Sequence, residues 1–181
     1  MSIGEVIAVA SDEKHNFSKI VKQEITLLAN FGVEGDAHAG KTVQHLYDKK
    51  KTPDLPNLRQ VHLIQSELFI ELKKKEIEIF AGQMGENVVT GSIDLLSLPS
   101  DTILRIGNVT LKLTGLRKPC YKLNTIHPNL LESVIERKSD GTLRYKSGVM
   151  AVVINGGVIR QGDSIFTVSY THLTLPTILR V

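Results

Sequence analysis

Thr102-Ile103-Leu104-Arg105-Ile106-Gly107-Asn108-Val109-Thr110-Leu111-Lys112-Leu113 is the stretch whose reading decides the fold class. Two β-branched or alternating runs flank Gly107-Asn108, a two-residue loop with glycine where a hairpin needs a positive φ. Working outward, runs of the same kind occur at residues 5–9, 24–28 and 60–64. Residues 148–154 and 158–160 are expected to form another hairpin through Asn155-Gly156-Gly157, and Gly162-Asp163 turns the chain into a strand over 164–167. Helical signals are fewer. Ser66 can cap a helix whose apolar side is Leu68, Phe69 and Leu72, and Pro128 can open a second with Leu130, Leu131, Val134 and Ile135 on one side and Gly141 beyond its end. Residues 39–57 are polar and lysine-rich and contain Pro53 and Pro56, which predicts a long mobile loop of the kind that serves as a lid. Many short strands with two helices predict a mostly-β domain, a closed or nearly closed barrel that leaves no bare edges.

The chain of 181 residues has room for one domain with a useful core. Its net charge of +3 is mild, and the lysines at 49–51 and 73–75 read as solvated faces. No aromatics interleave with them, so a nucleic-acid partner is not expected. The single cysteine, Cys120, rules out an internal disulfide or a four-thiolate metal site and fits a reducing compartment. No signal-peptide pattern and no apolar stretch of about 18 residues is present, which predicts a cytoplasmic protein without a membrane partner. Val168-Ser169-Tyr170-Thr171-His172-Leu173-Thr174-Leu175-Pro176-Thr177 resembles, codon by codon, a translated sequencing-library adapter. The authentic domain is therefore read as 1–167, and 168–181 as a non-native tail.

Four segments carry residue types that are poor structural filler. Gly32-Val33-Glu34-Gly35-Asp36-Ala37-His38-Ala39-Gly40 has glycines, Gly35 among them, that allow close backbone approach to a ligand. Asp36 and His38 supply an acid and a base or metal ligand, although a glycine-rich turn with Asp36 bonded to local amides accounts for the same residues. In Arg59-Gln60-Val61-His62-Leu63-Ile64, Gln60 and His62 share one strand face, so a polar pair can point into a pocket. Glu86-Asn87, after Gly85, can bind a heterocycle or satisfy loop backbone groups. The most specific segment is Thr114-Gly115-Leu116-Arg117-Lys118-Pro119-Cys120, where two cations favour the thiolate that metal ligation and nucleophilic attack both require. A small buried hydrophobe is the alternative for a free cysteine.

In order, Gly35-Asp36-Ala37-His38-Ala39-Gly40, Arg59-Gln60-Val61-His62-Leu63, Gly85-Glu86-Asn87, Gly115-Leu116-Arg117-Lys118-Pro119-Cys120, Gly148-Val149-Met150-Ala151 and residues 157–163 resemble the MOSC family, named after the C-terminal domain of molybdenum cofactor sulfurases. The resemblance implies a barrel related to the one inserted in pyruvate kinase. It also implies a molybdenum–pterin cofactor, with Cys120 as the metal ligand and Arg117 as a partner of the cofactor phosphate or its oxygens. Gly35, Asp36, His38, Arg59, His62, Glu86 and Asn87 are expected around the pocket, with His38 and Asp36 beside Cys120 as catalytic candidates. Family members include molybdenum enzymes that reduce N-hydroxylated bases and amidoximes. By that resemblance the chain is expected to reduce an N-hydroxylated small molecule with electrons from a separate donor protein. Two other readings remain: a cofactor-handling or persulfide-carrying module, and a zinc hydrolase using His38, Asp36 and His62, which lacks H-E-x-x-H spacing. Exposed barrel edges also admit a homodimer.

Overall fold

The computed structural model describes residues 3–168. The chain opens with β1 (Ile3–Ser11), the short exposed β2 (Ile20–Lys22), β3 (Glu24–Leu28) and β4 (Gly32–Val33). Helix α1 (Leu46–Lys51) precedes β5 (Val61–Gln65), and α2 (Glu67–Lys73) connects β5 to β6 (Val88–Gly91). Strands β7 (Ile103–Ile106) and β8 (Val109–Leu116) form the expected hairpin about Gly107-Asn108, in the register Ile106↔Val109. Helix α3 (Leu130–Ser133) leads to β9 (Ile135–Arg137) and β10 (Leu143–Tyr145), and the chain continues through β11 (Val149–Asn155), β12 (Gly157–Arg160) and β13 (Ser164–Val168).

Seven strands close a barrel in the order β13-β7-β8-β11-β5-β6-β1, with β1 hydrogen-bonding back to β13. All neighbours are antiparallel except β5 and β6, which run parallel. That pair needs a crossover, which α2 supplies by burying Leu68 and Leu72 against the barrel's outer side. The barrel interior is filled by alternating strand residues such as Leu111 and Leu113 of β8, Leu63 of β5 and Ile165 of β13. A second apolar cluster outside it joins Ile64, Leu72, Met84, Leu123, Leu130 and Val134. This cluster matters for the site, because the fully buried Leu123 anchors the loop that follows Cys120.

Four expectations are corrected. The helix predicted from Pro128 lasts a single turn, and the chain then forms the β9–β10 hairpin. Its turn is stabilised by Asp140, whose Oδ1 accepts from the Thr142 backbone N–H and hydroxyl, and Gly141 takes the positive φ there instead of capping a helix. The hairpin predicted through Asn155-Gly156-Gly157 is absent: β12 pairs with β3 in a separate sheet, β12-β3-β4. A Cβ on Gly156 would stand 2.4 Å from the Leu27 carbonyl oxygen, so the glycine permits a close crossing over β3. Ser66 starts its helix without a side-chain capping bond. Residues 39–57 are not wholly irregular. They hold α1, and Thr42 bridges Pro56 across the base of the segment.

Strand β13 runs through Val168, the first residue of the stretch read as a tail, and the rest of that stretch lies outside the described residues. Among the described residues no helix is long and apolar enough to cross a membrane.

Candidate functional site

One rim of the barrel gathers the start of β5, the start of β6, the end of β8 and the start of β11. His62 lies on β5 opposite Met150 of β11, Asn87 precedes β6, and Arg117 to Cys120 follow β8. A cleft of about 430 Å³ opens there. Its walls include His38, His62, Asn87, Arg117 and Cys120, with the exposed Tyr47 and Tyr121 at the mouth. Five cations line it, Lys19, Arg59, Arg117, Lys118 and Lys122, and no carboxylate does. Such a cleft attracts an anionic ligand.

Cys120 is half-buried and precedes a short turn of helix at Tyr121–Thr125, and its Sγ accepts weakly from the Lys122 backbone N–H at 3.5 Å. Arg117 sits between the thiol loop and the loop before β6. Its Nη1 donates to the Met84 carbonyl at 2.9 Å, and its guanidinium lies 5.9 Å from the centre of the Phe17 ring. Met84 is itself fully buried, so one edge of the guanidinium is fixed while the side chain still lines the cleft.

His62 is buried, and its Nε2 lies 2.7 Å from the Ser147 carbonyl oxygen. A carbonyl only accepts, so Nε2 carries the proton. Burial holds the imidazole well below its ordinary pKa, and the Arg117 charge adds to the effect. His62 is thus a neutral wall of the cleft. Its strand neighbour Gln60 is not in the cleft: its amide spans the Asn57 carbonyl and the Val153 N–H.

Behind the cleft wall lies a polar network. The Asp36 side chain is wholly inaccessible, and its Oδ2 pairs with the Lys19 ammonium and accepts from Asn87 Nδ2 at 3.1 Å and from the Asp12 N–H at 3.3 Å. Its Oδ1 accepts from the His38 N–H at 2.9 Å and faces His38 Nδ1 at 3.4 Å. Burial alone would raise the Asp36 carboxyl, but the His38 and Lys19 contacts outweigh it and hold the group well below the usual carboxylate range. Asn87 also donates to the Ala10 carbonyl and accepts from the His62 N–H, so one amide ties β1, β5 and Asp36 together.

The residues singled out in the sequence therefore divide. Cys120, His38, His62, Asn87, Arg59 and Arg117 line the cleft, while Asp36 lies behind it, bonded to His38. Arg59 is at the rim, 3.6 Å from Asp48 of α1. Glu86 turns away from the cleft and accepts from the Gly82 and Met84 N–H groups at 2.5 and 3.1 Å, fixing the loop that carries Gly85. Gly35 faces a shallow second groove with Asp12 and Glu34. His38, Asp36 and His62 do not converge on a point, and no group of three or more His, Cys, Asp or Glu among the described residues is placed to hold a metal. Lys19 and Phe17 carried no signal in the sequence. Neither belongs to a motif, and only the packing of residues 15–19 against the 82–85 loop brings them in, as in the Lys19 N–H bond to the Gly82 carbonyl.

A model of the MOSC domain matches residues 30–166, about three-quarters of the chain. The chain belongs to the MOSC family. MOSC domains are associated with binding of molybdenum cofactor. Solved structures share the fold. The YUAD protein from Bacillus subtilis matches at 18% identity with a TM-score of 0.73, over 90% of this chain and 94% of that one. YiiM from Geobacillus stearothermophilus matches at 17% and 0.66, over 92% and 75%, and YiiM from Escherichia coli at 20% and 0.60, over 91% and 70%. At these identities the likeness concerns the fold alone. No curated protein matches the chain in sequence.

Proposed function

We propose that this MOSC domain holds a molybdenum–pterin cofactor in the Cys120 cleft and reduces N-hydroxylated small molecules with electrons from a separate donor protein. The observation that carries the reading is a half-buried cysteine, the chain's single one, in a cleft with five cations and no carboxylate on its walls. The donor set fits the group. A soft thiolate suits molybdenum, and with no protein-only metal cluster among the described residues, a metal at Cys120 must bring most of its own ligands. A pterin dithiolene does so, and its phosphate suits Arg117, Lys118 and Lys122. When bound, the cofactor supplies two-electron chemistry at the metal.

The chain's own residues then have distinct tasks. Cys120 ligates, and the cationic walls hold and orient the anion. His62, kept neutral by burial, adds bulk and a fixed dipole without a further positive charge. Tyr47 and Tyr121 flank the mouth and narrow solvent access. A reduced thiol in working form suits the cytoplasm.

Protein from a molybdate-replete host should carry molybdenum and pterin in equal amounts and reduce members of a hydroxylamine panel with a chemical electron donor. Cofactor-loaded protein that reduces none of them sinks the reductase reading. Cyanide-releasable sulfur on Cys120 in place of metal would mark a persulfide carrier.

A further inference from the structure

We propose that Lys19, acting through Asp36, positions His38 as the proton donor of the cleft, an assignment that rests on the reductase reading for its chemistry. The Lys19 and Asp36 side chains are 4% and 0% exposed. Removing both charges from water is costly unless every remaining donor and acceptor is satisfied. The Asp36 oxygens are met by the Asn87 amide and by the N–H groups of Asp12 and His38, and the Lys19 ammonium is met by Asp36 Oδ2 with His38 Nδ1 nearby. The pair reaches the cleft through His38, which is one-third exposed and whose Nδ1 stands 3.4 Å from both Asp36 Oδ1 and Lys19 Nζ.

The ring's chemistry follows from these neighbours. With Nδ1–H directed at the Asp36 carboxylate, Nε2 is the ring nitrogen left to exchange a proton with the cleft. No hydrogen bond engages Nε2 among the described residues, and His38 lines the cleft. Lys19 occupies Oδ2 and so leaves Oδ1 for His38. The Asn57 amide fixes the His38 carbonyl from the other side, and the His15 ring meets the His38 ring edge-on at 5.3 Å. In reduction of R–NH–OH the N–O bond breaks with its electron pair on oxygen. The oxygen takes the Nε2 proton and leaves as water. Two electrons from the external reductant and one solvent proton complete R–NH₂, and solvent reprotonates His38.

Lys19 is a positioning residue in this scheme, and its test must separate positioning from mere support of the fold. The full chain, loaded with cofactor and supplied with reduced methyl viologen, would be assayed on phenylhydroxylamine. His38→Gln should lower kcat roughly a hundredfold with little change in KM, the scale of a lost general acid. Lys19→Met should lower kcat about tenfold in the wild-type background and not at all in the His38→Gln background, because coupled residues are not additive. Lys19→Arg should restore most of the rate. If Lys19→Met does not fold, the neutral pair Lys19→Met/Asp36→Asn should lose as much as Asp36→Asn alone.

Nitrogen-15 NMR gives a readout free of activity: neutral His38 should carry its proton on Nδ1 in the wild type and lose that preference in Asp36→Asn. Wild-type kcat in His38→Gln, equal losses from Lys19→Met in both backgrounds, or an Nε2-protonated neutral His38 in the wild type would each overturn the proposal. If the wild type reduces no N-hydroxylated compound, the reductase reading falls and the tautomer alone decides the positioning.

Discussion

Cys120 and Glu86 show how far one side chain's surroundings set its role. Cys120 is half-buried and belongs to neither buried apolar cluster, so Cys120→Ser should cost less than about 1 kcal/mol of stability, as for most partly exposed substitutions. The same change replaces a soft donor with a hard, un-ionised hydroxyl and should abolish reduction of N-hydroxylated compounds. Thermal unfolding and turnover of one preparation check both; retained turnover in Cys120→Ser removes the ligand assignment. Glu86 is the reverse case, a carboxyl withdrawn from solvent to hold a loop. Burial raises it to about 7, against the pull of the loop N–H groups and Arg117. Its folded form therefore binds the proton more tightly than its unfolded form, so between about pH 4.5 and 7 the native state holds more protons and stability falls as pH rises, by on the order of 3 kcal/mol. Melting temperatures from pH 5 to 8 should show that decline in the wild type and a flatter profile in Glu86→Gln. Asp36, held in the opposite direction, contributes stability that is lost only in strong acid.

At the scale of elements, α1 stands out because it buries none of its residues, yet His45, Leu46 and Tyr47 line the cleft. A helix this short has little stability of its own. It is fastened by Asp48 near His45 and Arg59, and by the Thr42 and Pro56 bridge. A ligand in the cleft would add contacts to an element that otherwise lacks them. Trypsin cleavage at Lys49 to Lys51 should therefore slow several-fold when cofactor is bound, and equal rates with and without it would count against a closing segment. Gly148 marks the opposite extreme, an element junction with no slack. Its φ is +97°, and a Cβ would lie 2.2 Å from the Leu63 carbonyl oxygen and 2.9 Å from His62 Nε2. Gly148→Ala should cost several kcal/mol, in the range of the larger backbone-strain effects, and should displace His62, visible as lost cofactor affinity in whatever protein remains folded.

The whole molecule is held by closure of β13 on β1, which turns an eight-stranded sheet into a barrel with β2 hanging from one side. Ile165 sits at that seam, fully buried and paired to Gly4 on one side and Ile106 on the other. Ile165→Ala should cost about 2–5 kcal/mol, the range for a large core truncation, read in chemical denaturation. Removal of residues 169–181 should leave the midpoint unchanged, and a drop of several degrees in melting temperature would make that stretch part of the fold. The sequence by itself determined the strand class, the Gly107-Asn108 hairpin, the helix after Ser66 and Cys120 among cations, because alternation, turn chemistry and motif residues are local properties of the chain. It misread 128–141 and 155–157, where the same residues suit either a helix or a tight turn, and either a hairpin or a crossing. Barrel closure and the partner of β12 decided those. Only the tertiary structure placed Lys19 against Asp36 and turned Glu86 and Gln60 away from the cleft, because a side chain's partner depends on which distant strands meet at one rim, and no local spacing encodes that.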